Sequence, residues 1–124
     1  MNGEKFYMKT HVDLDVWKLS MNFVENIYKI SATFPKEEMY GLSSQIRRAA
    51  VSIPSNIAEG ASRQSRKEFV QFLYISLGSL SEVETQLMLS ERLQFTENIQ
   101  VILNNALTIK KMLNGLITHQ KGKI

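Results

Sequence analysis

The sequence contains no cysteine, and it has only two prolines and six glycines. The absence of thiols excludes a disulfide framework, a thiolate metal site and a cysteine nucleophile. The scarcity of proline and glycine leaves little material for the turns of a strand-rich architecture. The two histidines, His11 and His119, lie near opposite ends of the chain, which argues against a histidine-rich metal site. We therefore expect a mostly helical protein that binds no metal and no cofactor.

Long apolar runs and a strong charge of one sign are also missing. The longest apolar stretch, residues 72–80, is interrupted by polar residues and stays far below the roughly 20 residues that span a bilayer. The first residues contain no apolar segment of the kind found in secretory signals. Lysine and arginine number 15 against 12 aspartates and glutamates, a formal net charge of only +3. These features predict a cytoplasmic protein without membrane contact.

The length of 124 residues fits one domain. We expect that domain to span residues 1–124, with residues 1–12 as an N-terminal extension and residues 119–124 as a polar, basic tail. Four helical segments with short connections divide it, and short connections make consecutive helices antiparallel neighbours. The predicted fold class is all-α, an antiparallel up-down-up-down four-helix bundle.

The first helix is predicted to follow Asp13 or Asp15, because either carboxylate can cap the amides of a helix start. Apolar residues at helical spacing define its main stripe, and further apolar residues widen the same face. In chain order the stripe contains Trp17, Met21, Val24, Tyr28 and Ser31, with Phe23, Ile27 and Ile30 beside it. This pattern predicts that Trp17 anchors the core.

The other three helices have recognisable boundaries. The second is predicted over residues 42–61 as one kinked helix, because a single apolar stripe continues across Pro54 despite its missing amide. Two helices broken before that proline are the alternative. The third follows Ser65, which matches a capping box together with Glu68. Thr96 is predicted to cap the fourth helix.

No combination of residues indicates an enzyme. A nucleophilic serine needs a base within hydrogen-bond reach, and no histidine lies near the serines in the middle of the chain. The sequence has no glycine-rich phosphate loop and no Glu-x-x-His pair for a metal. Glu82 and Glu84 are two residues apart, so a helix turns their carboxylates about 200° away from each other. We predict no enzymatic activity and no catalytic residue.

Basic residues concentrate around the second helix and the turn that follows it. Guanidinium groups match the oxygens of phosphates, so this concentration predicts contacts to a nucleic-acid backbone. Pairing within the bundle, for instance with Glu59, is the alternative. The candidate nucleic-acid-binding residues are Arg47, Arg48, Arg63, Arg66 and Lys67.

One face of the second helix belongs neither to its apolar core stripe nor to the charged stripe, which contains Arg48, Ser52, Ser55 and Glu59. This small, partly apolar face contains Arg47, Val51, Pro54 and Ala58, and we interpret its last three residues as a contact surface between copies of the chain. A bland exposed face is the alternative, since such residues are common outside cores. Gly78 lies inside the third helix, where glycine costs about 1 kcal/mol relative to alanine, and it predicts the close approach of another helix.

Residues 45–60 form the most distinctive motif and read QIRRAAVSIPSNIAEG. Together with DVW at 15–17, YGL at 40–42 and GSL at 78–80, this motif resembles a bacterial family of four-helix bundles. The family is named for reading frames inside intervening sequences of large-subunit ribosomal RNA genes. The resemblance covers nearly the whole chain after the first ten residues.

The resemblance implies a homopentamer with a central channel. It also implies kinship with the accessory protein of diversity-generating retroelements, which binds nucleic acid beside a reverse transcriptase. No enzymatic activity is attached to the family. Asn56, Glu59 and Gly60 match the motif, and we interpret them as structural, making a polar contact and a close-packed helix end.

Two hypotheses for function result. The first is an accessory protein that binds RNA or DNA through its basic residues. The second is a protein-interaction scaffold, in which the same residues form salt bridges between copies and the partner is another protein.

Overall fold

Four long helices make up the computed structural model, which describes residues 10–124. The helices are α1 (Asp15–Ser31), α2 (Leu42–Ala61), α3 (Arg66–Arg92) and α4 (Gln100–Lys121). Short 3-10 turns precede α1 and α2, and no strand occurs within the described range. Most of the predicted N-terminal extension, residues 1–9, lies outside the described residues.

Each helix packs against its neighbours in a closed cycle. Contacts join α1 to α2, α2 to α3, α3 to α4 and α4 back to α1, whereas the backbones of the diagonal pairs stay farther apart, with no Cα–Cα distance of 8 Å or less. With short connections, this pattern is the up-down-up-down arrangement. The predicted all-α four-helix bundle is confirmed.

The buried stripe of α1 differs from the prediction. Phe23 and Ile27 are fully buried, together with Val16. Trp17 is only partly buried, and Met21 and Tyr28 are about two-fifths exposed, so the core lies on the side that the sequence pattern treated as an extension. The prediction that Trp17 anchors the core is wrong. Apolar residues cover both faces of this helix, and periodicity alone does not decide which face turns inward.

The start of α1 also differs from the prediction. Neither Asp13 nor Asp15 caps it. Leu14 occupies the cap position, no side chain there accepts a hydrogen bond from the helix, and Asp15 is the first helical residue. The acidic side chain still lies at the positive end of the helix dipole.

The predicted boundaries of α2 are confirmed, and the helix continues through Pro54. Its end packs tightly on α3, because a Cβ placed on Gly60 would lie 2.7 Å from the Cβ of Phe72 and 3.2 Å from the carbonyl oxygen of Phe69. Ser76 on α3 adds a hydrogen bond from its hydroxyl to the carbonyl oxygen of Ile53 at 2.9 Å. The interpretation of Gly60 as a close-packed helix end is therefore confirmed.

The start of α3 is capped by a side chain, whereas its end leads into a turn that contains left-handed residues. Ser65 caps its start as predicted, accepting from the amide of Glu68 at 3.2 Å and donating to its carboxylate. After α3 the chain turns through Gln94 and Asn98, both in the left-handed region with φ of 64° and 58°.

Because of these two left-handed residues, the fourth helix begins later in the chain than predicted. It begins at Gln100 after Ile99, so the prediction that Thr96 caps it is wrong. At its other end α4 continues to Lys121, so the first half of the predicted polar tail, residues 119–121, is helical, and Gln120 is buried. None of the helices described here is long and apolar enough to cross a membrane.

Candidate nucleic-acid interface

The five basic residues predicted to bind nucleic acid do not form one patch. Arg47 and Arg48 lie in the first half of α2, and Arg63 and Arg66 lie around the α2–α3 turn, followed by Lys67. Fourteen helical positions separate Arg47 from Ala61 at the end of α2, about 21 Å along the axis, and Arg63 follows two residues later. Two separate basic groups therefore occupy opposite parts of α2.

The group at the α2–α3 turn is partly engaged within the chain. Arg63 pairs with Glu59 at 2.9 Å, and its guanidinium lies 4.8 Å from the centre of the Phe72 ring. Both charged side chains are about half exposed, so water screens this ion pair and it contributes little to stability. Lys67 is exposed and makes no hydrogen bond or ion pair with residues 10–124.

The fold brings the end of α4 next to this turn. Arg66 donates from Nη1 to the side-chain oxygen of Gln120 at 2.7 Å, and this bond joins the first turn of α3 to the last turn of α4. Lys121 contacts Tyr74 of α3, with Nζ 3.3 Å from the hydroxyl and 5.7 Å from the ring centre. We call Arg63, Arg66, Lys67, Lys121 and Lys123 the basic end.

Sequence reasoning missed the lysines of the basic end. Lys121 and Lys123 lie more than fifty residues after Arg66 in the chain, and the sequence alone predicts only a polar, basic tail there. In the sequence, only their positive charge could have indicated that these two lysines belong to the basic end. Only the pairing of α3 with α4 shows that this charge adds to that of the α2–α3 turn.

The second basic group lies against α1. Arg47 donates from Nε to the hydroxyl of Ser31 at 2.7 Å and from Nη2 to the carbonyl oxygen of Tyr28 at 3.3 Å. Its guanidinium also stacks 4.6 Å from the centre of the Tyr28 ring. Arg48, by contrast, is exposed and has no hydrogen bond or ion pair among the residues described. The two adjacent arginines therefore have different roles.

The three predicted contact residues line one apolar groove of about 350 Å³ between α1 and α2. Val51 is exposed, Ala58 is half-buried and Pro54 is buried at the floor. The opposite wall belongs to α1. It consists of Trp17, Met21 and Val24, the residues that the sequence pattern assigned to the core. We call these six residues the apolar groove.

The comparison with known proteins agrees with this fold. Residues 12–115 match the family described as 23S rRNA-intervening sequence protein. The chain belongs to that family. No curated protein matches the chain.

A solved protein structure is similar to this one. It is a protein of unknown function from the S23 ribosomal protein family of Bacteroides thetaiotaomicron, with 31% sequence identity and a TM-score of 0.76. The alignment covers 83% of this chain and 95% of that one. The intervening-sequence family and its bundle architecture are thus both established for this chain.

The motif at residues 45–60 that resembles this family holds α2 against α3. Asn56 donates from Nδ2 to the carbonyl oxygen and the hydroxyl of Ser52, both at 2.8 Å. The hydroxyl of Ser52 lies 2.8 Å from that of Ser79 on α3. With Gly60 at the helix end, these contacts confirm the structural interpretation of Asn56 and Gly60, whereas Glu59 pairs with Arg63.

Gly78 has a different environment from Gly60. It is exposed, and a Cβ built on it would meet no atom within 4 Å. No helix of the described chain approaches this position, so the expected close contact does not occur within one copy.

Across residues 10–124, no group of three or more acidic or histidine side chains could hold a metal ion.

Proposed function

We propose that this chain is a non-enzymatic, cytoplasmic protein that binds RNA or DNA through the phosphate backbone, using the basic end. The observation that carries the proposal is the Arg66–Gln120 hydrogen bond. It fixes the last turn of α4 against the first turn of α3, so that lysines from the end of the chain join the charges of the α2–α3 turn. A clustered positive surface, rather than net charge, is the electrostatic feature of a nucleic-acid site.

The side chains of the basic end can reach phosphates. Lys67 and Lys121 are exposed, and the Arg63–Glu59 pair is exposed enough that its guanidinium can exchange a carboxylate for a phosphate. Glu68 is turned toward the Ser65 hydroxyl at the start of α3. The family description, which refers to an intervening sequence of ribosomal RNA, is consistent with a nucleic-acid partner.

We also propose that copies of the chain associate through the apolar groove, as a homo-oligomer for which the resemblance implies five subunits. The groove places Trp17, Met21 and Val51 at the surface, where contact with another copy would remove apolar area from water. A ring of copies repeats the basic end and thereby multiplies weak phosphate contacts.

The binding proposal is tested by the salt dependence of affinity. Each phosphate contact that releases counterions contributes about −0.9 to the slope of log affinity against log salt on duplex DNA, and about −0.7 on single strands. Replacing Lys67 and Lys121 by glutamine should therefore reduce the slope by about 1.8 on a labelled duplex, measured by fluorescence anisotropy. The matched control replaces Lys29 and Lys111, two exposed lysines elsewhere, with the same loss of charge.

Two results would contradict the proposal. One is the absence of binding by the wild-type protein at about 50 mM salt, where backbone contacts are strongest. The other is an equal slope for the two double variants, which would mean that total charge and not the basic end determines binding. Either result favours the protein-interaction scaffold, for which the apolar groove supplies a surface.

A further inference from the structure

The basic group in the first half of α2 borders a second cavity, of about 560 Å³, remote from the basic end. Both arginines line it, and so do Tyr28 of α1 and Tyr40 of the turn before α2. Among residues 10–124, no acidic side chain lines this cavity. We call Tyr28, Tyr40, Arg47 and Arg48 the arginine–tyrosine pocket.

One wall of the pocket is a pair formed by Arg47 and Tyr28. The guanidinium of Arg47 lies over the ring of Tyr28, and its two hydrogen bonds to α1 hold it there. Ser31, which accepts one of them, is buried, so the pair is anchored in the bundle and not free to rotate into solvent. A stacked arginine and tyrosine offer a flat surface that combines a π-face with positive charge.

The second aromatic ring is almost fully in solvent. Tyr40 is 92% exposed, the highest exposure of any large hydrophobic residue in the part of the chain described. The backbone that carries it is nevertheless fixed, because the amide of Gly41 donates to the carbonyl oxygen of Glu38 and that of Leu42 donates to its carboxylate at 3.1 Å. The fold thus presents an aromatic face to solvent on a rigid support.

Arg48 supplies a charge that nothing in the described chain neutralises. It is exposed on α2 next to the Arg47–Tyr28 pair, without an ion pair or a hydrogen bond. The positive charge of Arg48 therefore does not serve a salt bridge within the described bundle. A cation beside an exposed aromatic ring has the composition of sites that bind unpaired nucleotides.

We infer that the arginine–tyrosine pocket binds an unpaired nucleotide of a single-stranded nucleic acid, with the base stacked on Tyr40 and its phosphate on Arg48. The inference rests on the proposed function and extends it from backbone binding to a preference for single strands. The arginines alone would suit any anionic partner, including an acidic peptide. The exposed ring of Tyr40 favours a base, since every base offers a flat face for stacking.

The test compares a labelled 12-nucleotide single strand with a duplex of the same length. Tyr40→Leu keeps an apolar side chain but removes the aromatic face, and should weaken binding of the single strand about tenfold while leaving the duplex unchanged. Tyr40→Phe should bind like the wild type. Arg48→Gln should lower the salt slope on the single strand by about 0.7. Val101→Ala, which shortens another exposed apolar residue, is the control.

The outcomes separate this inference from the proposed function. If Tyr40→Leu binds both strands like the wild type while the Lys67 and Lys121 variant still loses salt dependence, only the inference is overturned. If Tyr40→Leu loses binding to an acidic peptide but not to the single strand, the pocket is a peptide site. A change in particle mass for Tyr40→Leu, measured by light scattering, would make Tyr40 a subunit contact. Absence of all nucleic-acid binding overturns both proposals.

Discussion

Two glycines inside helices show how differently the same residue type is used. Gly60 lies where α2 meets α3, and a Cβ there would overlap backbone and side-chain atoms of α3. Gly78 lies on the exposed side of α3, with open space where a Cβ would extend. Glycine is required by close packing at the first position, whereas nothing within one described copy requires it at the second.

We predict opposite effects of alanine at these positions. Gly60→Ala forces a methyl group into a filled space, and should lower the free energy of unfolding by about 1–3 kcal/mol. Gly78→Ala should raise it by about 0.5–1 kcal/mol, because alanine loses less backbone entropy in a helix. Urea unfolding followed by circular dichroism measures both. A destabilised Gly78→Ala protein would indicate that another copy packs against this position.

The arginines also differ once their partners are known. Arg47 is held against α1, Arg63 has a carboxylate partner, and Arg48 has no partner among the described residues. The sequence presents all of them as equivalent positive charges. The tertiary structure distinguishes them, because the partners of Arg47 and Arg63 lie elsewhere along the chain or one turn away on the helix. Arg47 is hydrogen-bonded to α1, Arg63 forms an exposed ion pair, and Arg48 stays unpaired among the described residues.

Among the helices, α1 differs most between the apolar stripe predicted from the sequence and the face that the structure buries. Its apolar residues cover more than one face, and the bundle buries the side that contains Phe23 and Ile27. The side that contains Trp17 forms a wall of the apolar groove. The large aromatic residue is therefore placed where it contacts α2 and solvent together, and not at the centre of the core.

The observed orientation of α1 predicts that two alanine substitutions lower folding stability by different amounts. Phe23 is 1% exposed, so Phe23→Ala should cost about 3–5 kcal/mol of folding stability. Trp17→Ala should cost clearly less in the monomer, because part of its side chain is already in contact with water. Thermal unfolding of both variants at low protein concentration checks this order. A larger loss for Trp17→Ala would contradict the described orientation of α1.

For the whole molecule, the apolar groove and the basic end lie on the same bundle but have different chemistry. The groove combines α1 with α2, whereas the basic end combines the α2–α3 turn with the end of α4. A change in the basic end should therefore leave the particle mass unchanged. A change in the groove that dissociates the ring should also weaken phosphate binding, because it removes the repeated contacts.

We predict that the wild-type protein is an oligomer and that Ala58→Glu dissociates it. Ala58 is half-buried in the groove, and a carboxylate buried there between copies would have no partner. Light scattering at micromolar concentration should give a multiple of 14.2 kDa for the wild type and a lower mass for the variant. Leu107→Glu places the same charge on an exposed position of α4 and should leave the mass unchanged. A monomeric wild-type protein would refute the assembly proposal.

The helices themselves follow from the sequence. Capping by Ser65, the continuous apolar stripe of α2 and the lack of turn-forming residues are local properties, so the fold class and the boundaries of α2 could be predicted directly. The family could be recognised for the same reason, since its motif at residues 45–60 is contiguous. Local physical chemistry is sufficient for these features.

The tertiary structure decided which faces meet. The inward side of α1, the late start of α4 after two left-handed residues, and the joining of the chain end to the α2–α3 turn all depend on packing between distant segments. Tyr28 and Tyr40 likewise line one cavity with Arg47 and Arg48 only through the pairing of α1 with α2 and the turn before α2. Periodicity shows that a helix has an apolar side, but the neighbour that covers that side is chosen by the free energy of the whole bundle.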